Sequence, residues 1–411
     1  MSVNARDFLT RLWALENDDR PAYLIGYVGP RVKGGAPIRS ALFSTEGKDT
    51  VKARLLDPDK FLAAQLEEIE SQSKLRGDLV PALCPTLGVI AVPSAFGAEV
   101  VWWDNDFPAV RPLAGGVEAL RDLERPHVTG GELGRILEYT RAFLDRTGGR
   151  MPIRLGDIQG PLDNAALILG HTTFLEALIT APGEIHRLLD MITDLMVEFV
   201  VTQREIVRAS GAEFVPSSFQ PWLPDGRGLS IANDVAVMLS PGLHDEFGLP
   251  YLNRLSDAFG GVFLHSCGDW THLFPSLDKV RGLRGLEFGG SEAPFDKVLA
   301  RFGGRTVLAC RVGLNRDLRF AGMADFVRRV IAAAPTPRGL FLHVDITNGL
   351  TGDGWPETDL DEIYALLDAG NPAWMKAAGR GPDERSDAPD RDLERSGRRC
   401  GRAGPRGTKE S

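Results

Sequence analysis

Gly261-Val262-Phe263-Leu264-His265-Ser266-Cys267-Gly268-Asp269-Trp270 is the stretch on which the reading of this chain turns. A short apolar run ended by glycine reads as a buried strand. If extended geometry persists through Cys267, alternation puts His265 and Cys267 on one face, two residues apart. An imidazole and a thiolate side by side at a strand end are two of the ligands that zinc prefers. A core histidine beside a small buried thiol is the plainer alternative.

Working outward, further candidate strands lie on both sides. Downstream are Leu283 to Phe288, Arg305 to Cys310 and Gly339 to Val344, with helices at Asp296 to Phe302 and Ala324 to Ala334 between them. Upstream, Arg20 to Tyr27 reads as a first strand, Pro81 to Val101 holds two apolar segments, and Met151 to Gly160 and 213–219 read as strands. Helices are expected from Asn4 to Glu16, from Asp57 through about Ser73, and from Thr129, where Glu132 completes a capping box. A long helix starts at Pro182, with Ile185, Leu188, Leu189, Ile192, Leu195, Met196 and Phe199 on one stripe, and another starts at Ser240-Pro241. Strands thus alternate with helices roughly eight times, the pattern of parallel β/α units closing a single (β/α)8 TIM barrel. Active sites of such barrels lie at the C-terminal strand ends, where His265, Cys267 and Cys310 fall.

The 411 residues are 43% hydrophobic, enough for a large core, and the net charge is −9. That charge argues against a general nucleic-acid binder. Lys33-Gly34-Gly35 does not match a Walker loop and no dinucleotide fingerprint follows a strand. No apolar run reaches the ~18 residues of a membrane span. Met1 to Asp7 lacks the apolar core of a secretory signal, so a cytoplasmic location is expected. Four cysteines, Cys84, Cys267, Cys310 and Cys400, are too few for a disulfide framework and fit a reducing compartment. From Lys376 onward the chain has ten basic and seven acidic residues, net +3, and almost no large apolar side chain. The expected organisation is therefore a barrel over residues 1–375 and a disordered tail over 376–411, with Cys400 incidental.

Several stretches together resemble the uroporphyrinogen decarboxylase superfamily, which includes zinc- and corrinoid-linked methyltransferases. They are Arg20-Pro21, Ala95-Phe96-Gly97-Ala98-Glu99-Val100, Gly160-Pro161 with the helix Phe174 to Val201, and Ser240-Pro241 with Phe247 and Pro250. Leu264 to Gly268, Asn348-Gly349-Leu350 and Pro356-Glu357-Thr358 complete the set, in order, over about residues 5–370. The resemblance implies a single barrel, commonly a homodimer. In decarboxylases of the superfamily an arginine-rich segment after the first strand grips substrate carboxylates and an aspartate holds the pyrrole N–H groups. Here those positions fall on Gly26, with Arg31 nearby, and on Gly88, so tetrapyrrole decarboxylation is the second reading.

The methyltransferase branch binds zinc through His-x-Cys and a later cysteine, and moves a methyl group from a corrinoid on a partner protein to a thiol. The resemblance carries the ligand role to His265 and Cys267. The later position reads Asn348-Gly349-Leu350, so Cys310 is the provisional third ligand, with His343, Asp345 and Asn348 behind it. Zinc is thus the expected cofactor, a methyl-corrinoid the co-substrate, and a small thiol or a tetrapyrrole the substrate. Asp157, His343 and Asp345 are candidates for proton transfer, and Tyr27, Arg31, Gln159, Gln220 and Asn348 for substrate contact. Loop hydrogen bonding is the alternative for Asp157 and Gln159. Trp222 and Asp225 could also line the pocket, Asp269 suits a helix cap, and the remaining histidines read as structural.

Overall fold

A computed structural model describes residues 4–28, 32–33, 49–312, 320–346 and 358–377. Met1–Gly370 forms one compact unit, and Asn371–Ser411 forms a second, whose described part contains the helix Pro372–Ala377. No helix of the described residues is long and apolar enough to cross a membrane.

Eight strands make the wall of the first unit: β1 (Ala22–Val28), β2 (Ile153–Arg154), β3 (Phe214–Val215), β4 (Leu229–Ala232), β5 (Val262–Ser266), β6 (Leu283–Gly289), β7 (Val307–Arg311) and β8 (Leu340–Ile346). Six of them form a parallel sheet in the order β1-β8-β7-β6-β5-β4. Backbone contacts carry the wall on from each edge of that sheet. Asp78 N donates to Tyr23 O at 2.8 Å, Leu83 bridges Ile153, β2 pairs with β3, and Ser230 N donates to Pro216 O at 2.9 Å. These links extend the six-stranded sheet at both edges through the β2–β3 pair, and the fold is a TIM-type α/β barrel. Its wall between β2 and β5 is built from two short strands in succession: β3 serves the β2 side and β4 the β5 side.

Parity sets what each strand shows to the interior. Ala22, Leu24, Val80, Val215, Phe263, Val307, Ala309 and Phe341 share one apolar cluster inside the barrel with Phe8, Leu9, Leu12 and Trp13. The last four belong to the helix Ala5–Trp13, capped by Asn4, which plugs the N-terminal end of the wall. Trp13 meets Phe263 edge-on at 5.3 Å and donates Nε1–H to Trp222 O at 2.7 Å. Trp222 is therefore packing, with 6% exposure. Counting by twos from these core residues, His265 on β5, Cys267 just beyond it and Arg311 on β7 face inward at the opposite end, and Glu287 on β6 joins them in register with His265.

The outer helices follow their apolar stripes. Pro182–Ala209 buries the predicted positions completely, and Pro58–Gln72 starts behind the Asp57 cap with proline in its first turn. Three details go beyond the expectation or differ from it. The apolar segments of Pro81 to Val101 hold the short helix Ala91–Ala95, followed by an antiparallel pair of Glu99–Val101 with Ala109–Arg111. The helix expected from Thr129 begins at Gly131, and the Glu132 N–H is satisfied by the Ser94 hydroxyl at 2.9 Å. A hydroxyl from another segment has replaced the local cap. Finally, β4 lies in a stretch between 213–219 and Ser240 for which no element was expected.

Candidate metal centre

β5 delivers His265 and Cys267 together: Nε2 and Sγ are 3.5 Å apart. The third group is Asp234, two residues beyond β4, with Oδ1 3.6 Å from His265 Nε2. Among the described residues these three form a cluster whose ligand atoms all lie within 4.8 Å of one another. Metal–ligand lengths of about 2.0 Å to nitrogen, 2.1 Å to oxygen and 2.3 Å to sulfur, set at tetrahedral angles, give edges of about 3.5 Å for N···S and 3.4 Å for N···O. The two observed separations match those edges. The donor set (one imidazole, one thiol and one carboxylate) suits zinc or another thiophilic divalent ion. The residues fit the implied metal, with a fourth position left for a substrate atom.

Backbone and buried side chains hold the three groups in place. Asn233 N donates to His265 O at 2.8 Å, locking the end of β4 to β5. Cys267 N donates to Asp234 Oδ1 at 2.6 Å, so the carboxylate is steered by the neighbouring strand. Asp163 accepts from the N–H groups of Asp234 and Val235 at 3.1 and 2.7 Å. Gly160 lies against the end of β4, where a Cβ would stand 2.0 Å from Ala232 O, so only glycine fits there.

The second ring nitrogen of His265 bonds to the buried carboxylate of Glu287. That bond fixes the proton on Nδ1 and turns Nε2 toward Asp234 and Cys267, the arrangement expected of a metal-binding imidazole. Phe219 stacks on the same ring at 4.7 Å and 14°. Arg311 bridges the far side, with Nε 2.9 Å from Glu287, Nη2 3.3 Å from Cys267 Sγ, and Glu292 at 3.4 Å.

Electrostatics separate a metal ligand from a free nucleophile. Burial pushes the Cys267 thiol up to about 11, and the Asp234 charge adds to the shift. The sulfur by itself is a protonated thiol at neutral pH, whereas a metal-bound sulfur is deprotonated outright. Burial likewise holds His265 down at about 4, leaving a neutral imidazole ready to coordinate.

The other sequence-predicted residues distribute as follows. Cys310 is not brought to this cluster. It is fully buried on the outward face of β7, with Sγ 3.8 Å from Arg311 O and beside Gly290 and Phe326. Its strand runs one residue further than expected, and Arg311 takes the inward position. Asp157 and Gln159 bond to each other: Asp157 Oδ1 accepts Gln159 N at 3.0 Å and Nε2 at 2.9 Å, and Gln159 holds φ 52°. Burial raises the Asp157 pKa. Gln220 accepts from Arg154 at 2.9 Å. His343 sits half-buried on β8, paired in register with Arg311. Asp345 and Tyr27 lie on β8 and β1, and their side chains are outside the described set, as are residues Arg31 and Asn348. Asp225 pairs with Arg208 at 2.7 Å, away from the cluster, and Asp269 accepts from Thr271 N at 3.0 Å as a turn cap. Sequence reasoning missed Asp234, Glu287 and Arg311.

The fold and site define a TIM-barrel protein with a compact inward-facing cluster at the C-terminal strand ends. The uroporphyrinogen decarboxylase family model matches residues 80–308, and the chain belongs to that family. Uroporphyrinogen decarboxylase of Xanthomonas oryzae pv. oryzae is 24% identical over 174 residues, covering 41% of this chain and 44% of the relative. The human uroporphyrinogen decarboxylase is 26% identical over 174 residues, covering 41% and 42%. The matched stretch is thus less than half the length of these curated relatives. Among solved structures, a methyltransferase from Methanosarcina mazei superposes with a TM-score of 0.59 at 17% identity, covering 91% of this chain and 99% of that one. At that identity the likeness concerns the fold.

Proposed function

We propose that this chain is a metal-dependent methyltransferase of its family, with His265, Cys267 and Asp234 as the protein ligands. The observation that carries the reading is the convergence of three unlike ligand atoms at tetrahedral spacing. When bound, a zinc-type ion lowers the pKa of a substrate thiol and presents it as a thiolate nucleophile. A methylated corrinoid on a partner protein would supply the methyl group, which would pass to the substrate sulfur while the cobalt–carbon bond broke and left its electron pair on cobalt. Glu287 keeps the His265 proton on Nδ1. Phe219 covers one face of the imidazole and excludes water from it. Arg311 directs an N–H at the Cys267 sulfur and balances the charge of Glu287 and Glu292.

The test is thiol-dependent loss of methyl from free methylcobalamin, followed by the visible spectrum of the corrinoid. The reading predicts turnover in the wild type and none in His265→Ala or Cys267→Ser. The curated relatives are named for decarboxylation, so uroporphyrinogen is offered in parallel. Carboxylate loss by metal-free protein, with no demethylation, overturns the proposal.

A further inference from the structure

Arg154 is 5% exposed and stands on β2 in register with Val215, a member of the barrel's inner cluster. Its guanidinium therefore lies inside the wall. Nη1 donates to Phe219 O at 2.8 Å and Ser217 O at 3.4 Å, and Nη2 donates to Gln220 Oε1 at 2.9 Å. All three acceptors are neutral. Two other interior arginines have carboxylates: Arg20 has Asp78, and Arg311 has Glu287 and Glu292. Arg154 has none among the described residues. Burial draws its pKa below the ordinary arginine value, opposed by the Cys84 thiol alone.

An interior cation without a counter-ion is costly, and such a charge is retained where an anion comes to it. The contacts leave the Nε–H and a second Nη2–H without an acceptor among the described residues. Nε and Nη2 form the edge of the guanidinium that a carboxylate grips with two parallel bonds. Phe219 ties this group to the metal centre: its carbonyl accepts from Arg154, and its ring lies flat on His265. Phe219 and Gln220 are themselves half-buried and line the approach.

We propose that Arg154 is the anion-binding residue of the substrate pocket, holding a carboxylate on a small substrate whose other end reaches the His265–Cys267 centre. The reacting end rests on the function proposed above; the anion anchor rests on the guanidinium alone.

Calorimetry on the purified full chain, with 3-mercaptopropionate and its neutral amide 3-mercaptopropionamide, tests the idea without requiring turnover. A charge-assisted bidentate contact gives the acid a preference of about tenfold or more over the amide in the wild type. Arg154→Gln brings the ratio to about one, and Arg154→Lys keeps a preference of a few fold. Gln220→Glu leaves Arg154 in place but supplies an internal carboxylate, and it abolishes the preference even if Arg154→Gln fails to fold. Equal affinity of acid and amide in the wild type, no binding of either, or a preference that survives in Gln220→Glu overturns the proposal. Cys267→Ser separates the two readings: it removes the metal centre and leaves the acid-to-amide ratio intact. A metal-loaded wild type with a ratio of one refutes the anchor, and a wild type that takes up no metal yet keeps a high ratio refutes the methyltransferase.

Discussion

Replacing Asp234 by asparagine tests the centre where its composition departs from expectation. The change keeps an Oδ1 that accepts the Cys267 N–H, now at 2.6 Å, so the loop after β4 retains its main anchor. It removes the negative charge 3.6 Å from His265 Nε2. Apparent binding free energies of zinc in small protein sites run to about 10–16 kcal/mol, roughly 3–4 kcal/mol for each of four ligands. Losing the carboxylate therefore weakens the metal by about 10²–10³-fold. Competition against a chromophoric chelator measures that shift, and elemental analysis of protein purified without chelators measures occupancy. Cys310→Ser is the matched control, because its sulfur faces outward and is fully buried among the helices. Its metal affinity is expected to equal that of the wild type, with a stability loss of about 1–3 kcal/mol from the buried hydroxyl. Wild-type affinity in Asp234→Asn, together with metal loss in Cys310→Ser, refutes the assignment of the third ligand.

Glu287→Gln replaces the charged acceptor on His265 Nδ1 by a neutral amide and should cost about 10–100-fold in metal affinity, read by the same competition. His244 is fully buried against Ser276, and burial holds it at about 4 against 6.5 when unfolded. The unfolded chain binds this proton first. The contribution of His244 is thus intact above about pH 6.5 and lost as pH falls toward 4, about 3 kcal/mol in all. Urea unfolding at a series of pH values should show a shallower acid slope in His244→Gln; an unchanged slope contradicts the assignment. Gly160→Ala drives a methyl group into Ala232 O and should destabilise the fold by about 1–3 kcal/mol in thermal unfolding. An alanine variant as stable as the wild type would show that β4 does not press on Gly160.

His265 and Cys267 were legible because they combine two signals, a ligand spacing and a strand parity. Cys310 was chosen on its strand-end position alone, without parity. An apolar run read as ending at that residue makes it the strand tip, but β7 continues to Arg311, and one residue exchanges the inner and outer faces. Asp234 was illegible for a different reason. Leu229 to Ala232 is four residues long, follows Gly226-Arg227-Gly228, and precedes the strong cap Ser240-Pro241, so it offers too little alternation to stand out from a loop. Glu287 did leave a trace: a carboxylate in the middle of a predicted buried strand needs a partner, and its only permissible place is facing a charged or ligating group. The capping box at Thr129 failed because the competing hydroxyl, Ser94, is 38 residues away in sequence.

The divided wall has a consequence for how the centre comes into being. Because the end of β4 rather than the last strands supplies the proposed third ligand, all three proposed ligand residues fall within Asp234 to Cys267, at the ends of two strands that pair directly. A nascent chain can bring them together before β6, β7 and β8 exist, and a metal captured then would act as a clasp on the β4–β5 pair. Conversely, breathing at the seam where β8 meets β1 leaves the ligands undisturbed, since neither strand contributes one. Hydrogen exchange should therefore find metal-dependent protection concentrated at 229–267 and largely independent of opening at 340–346.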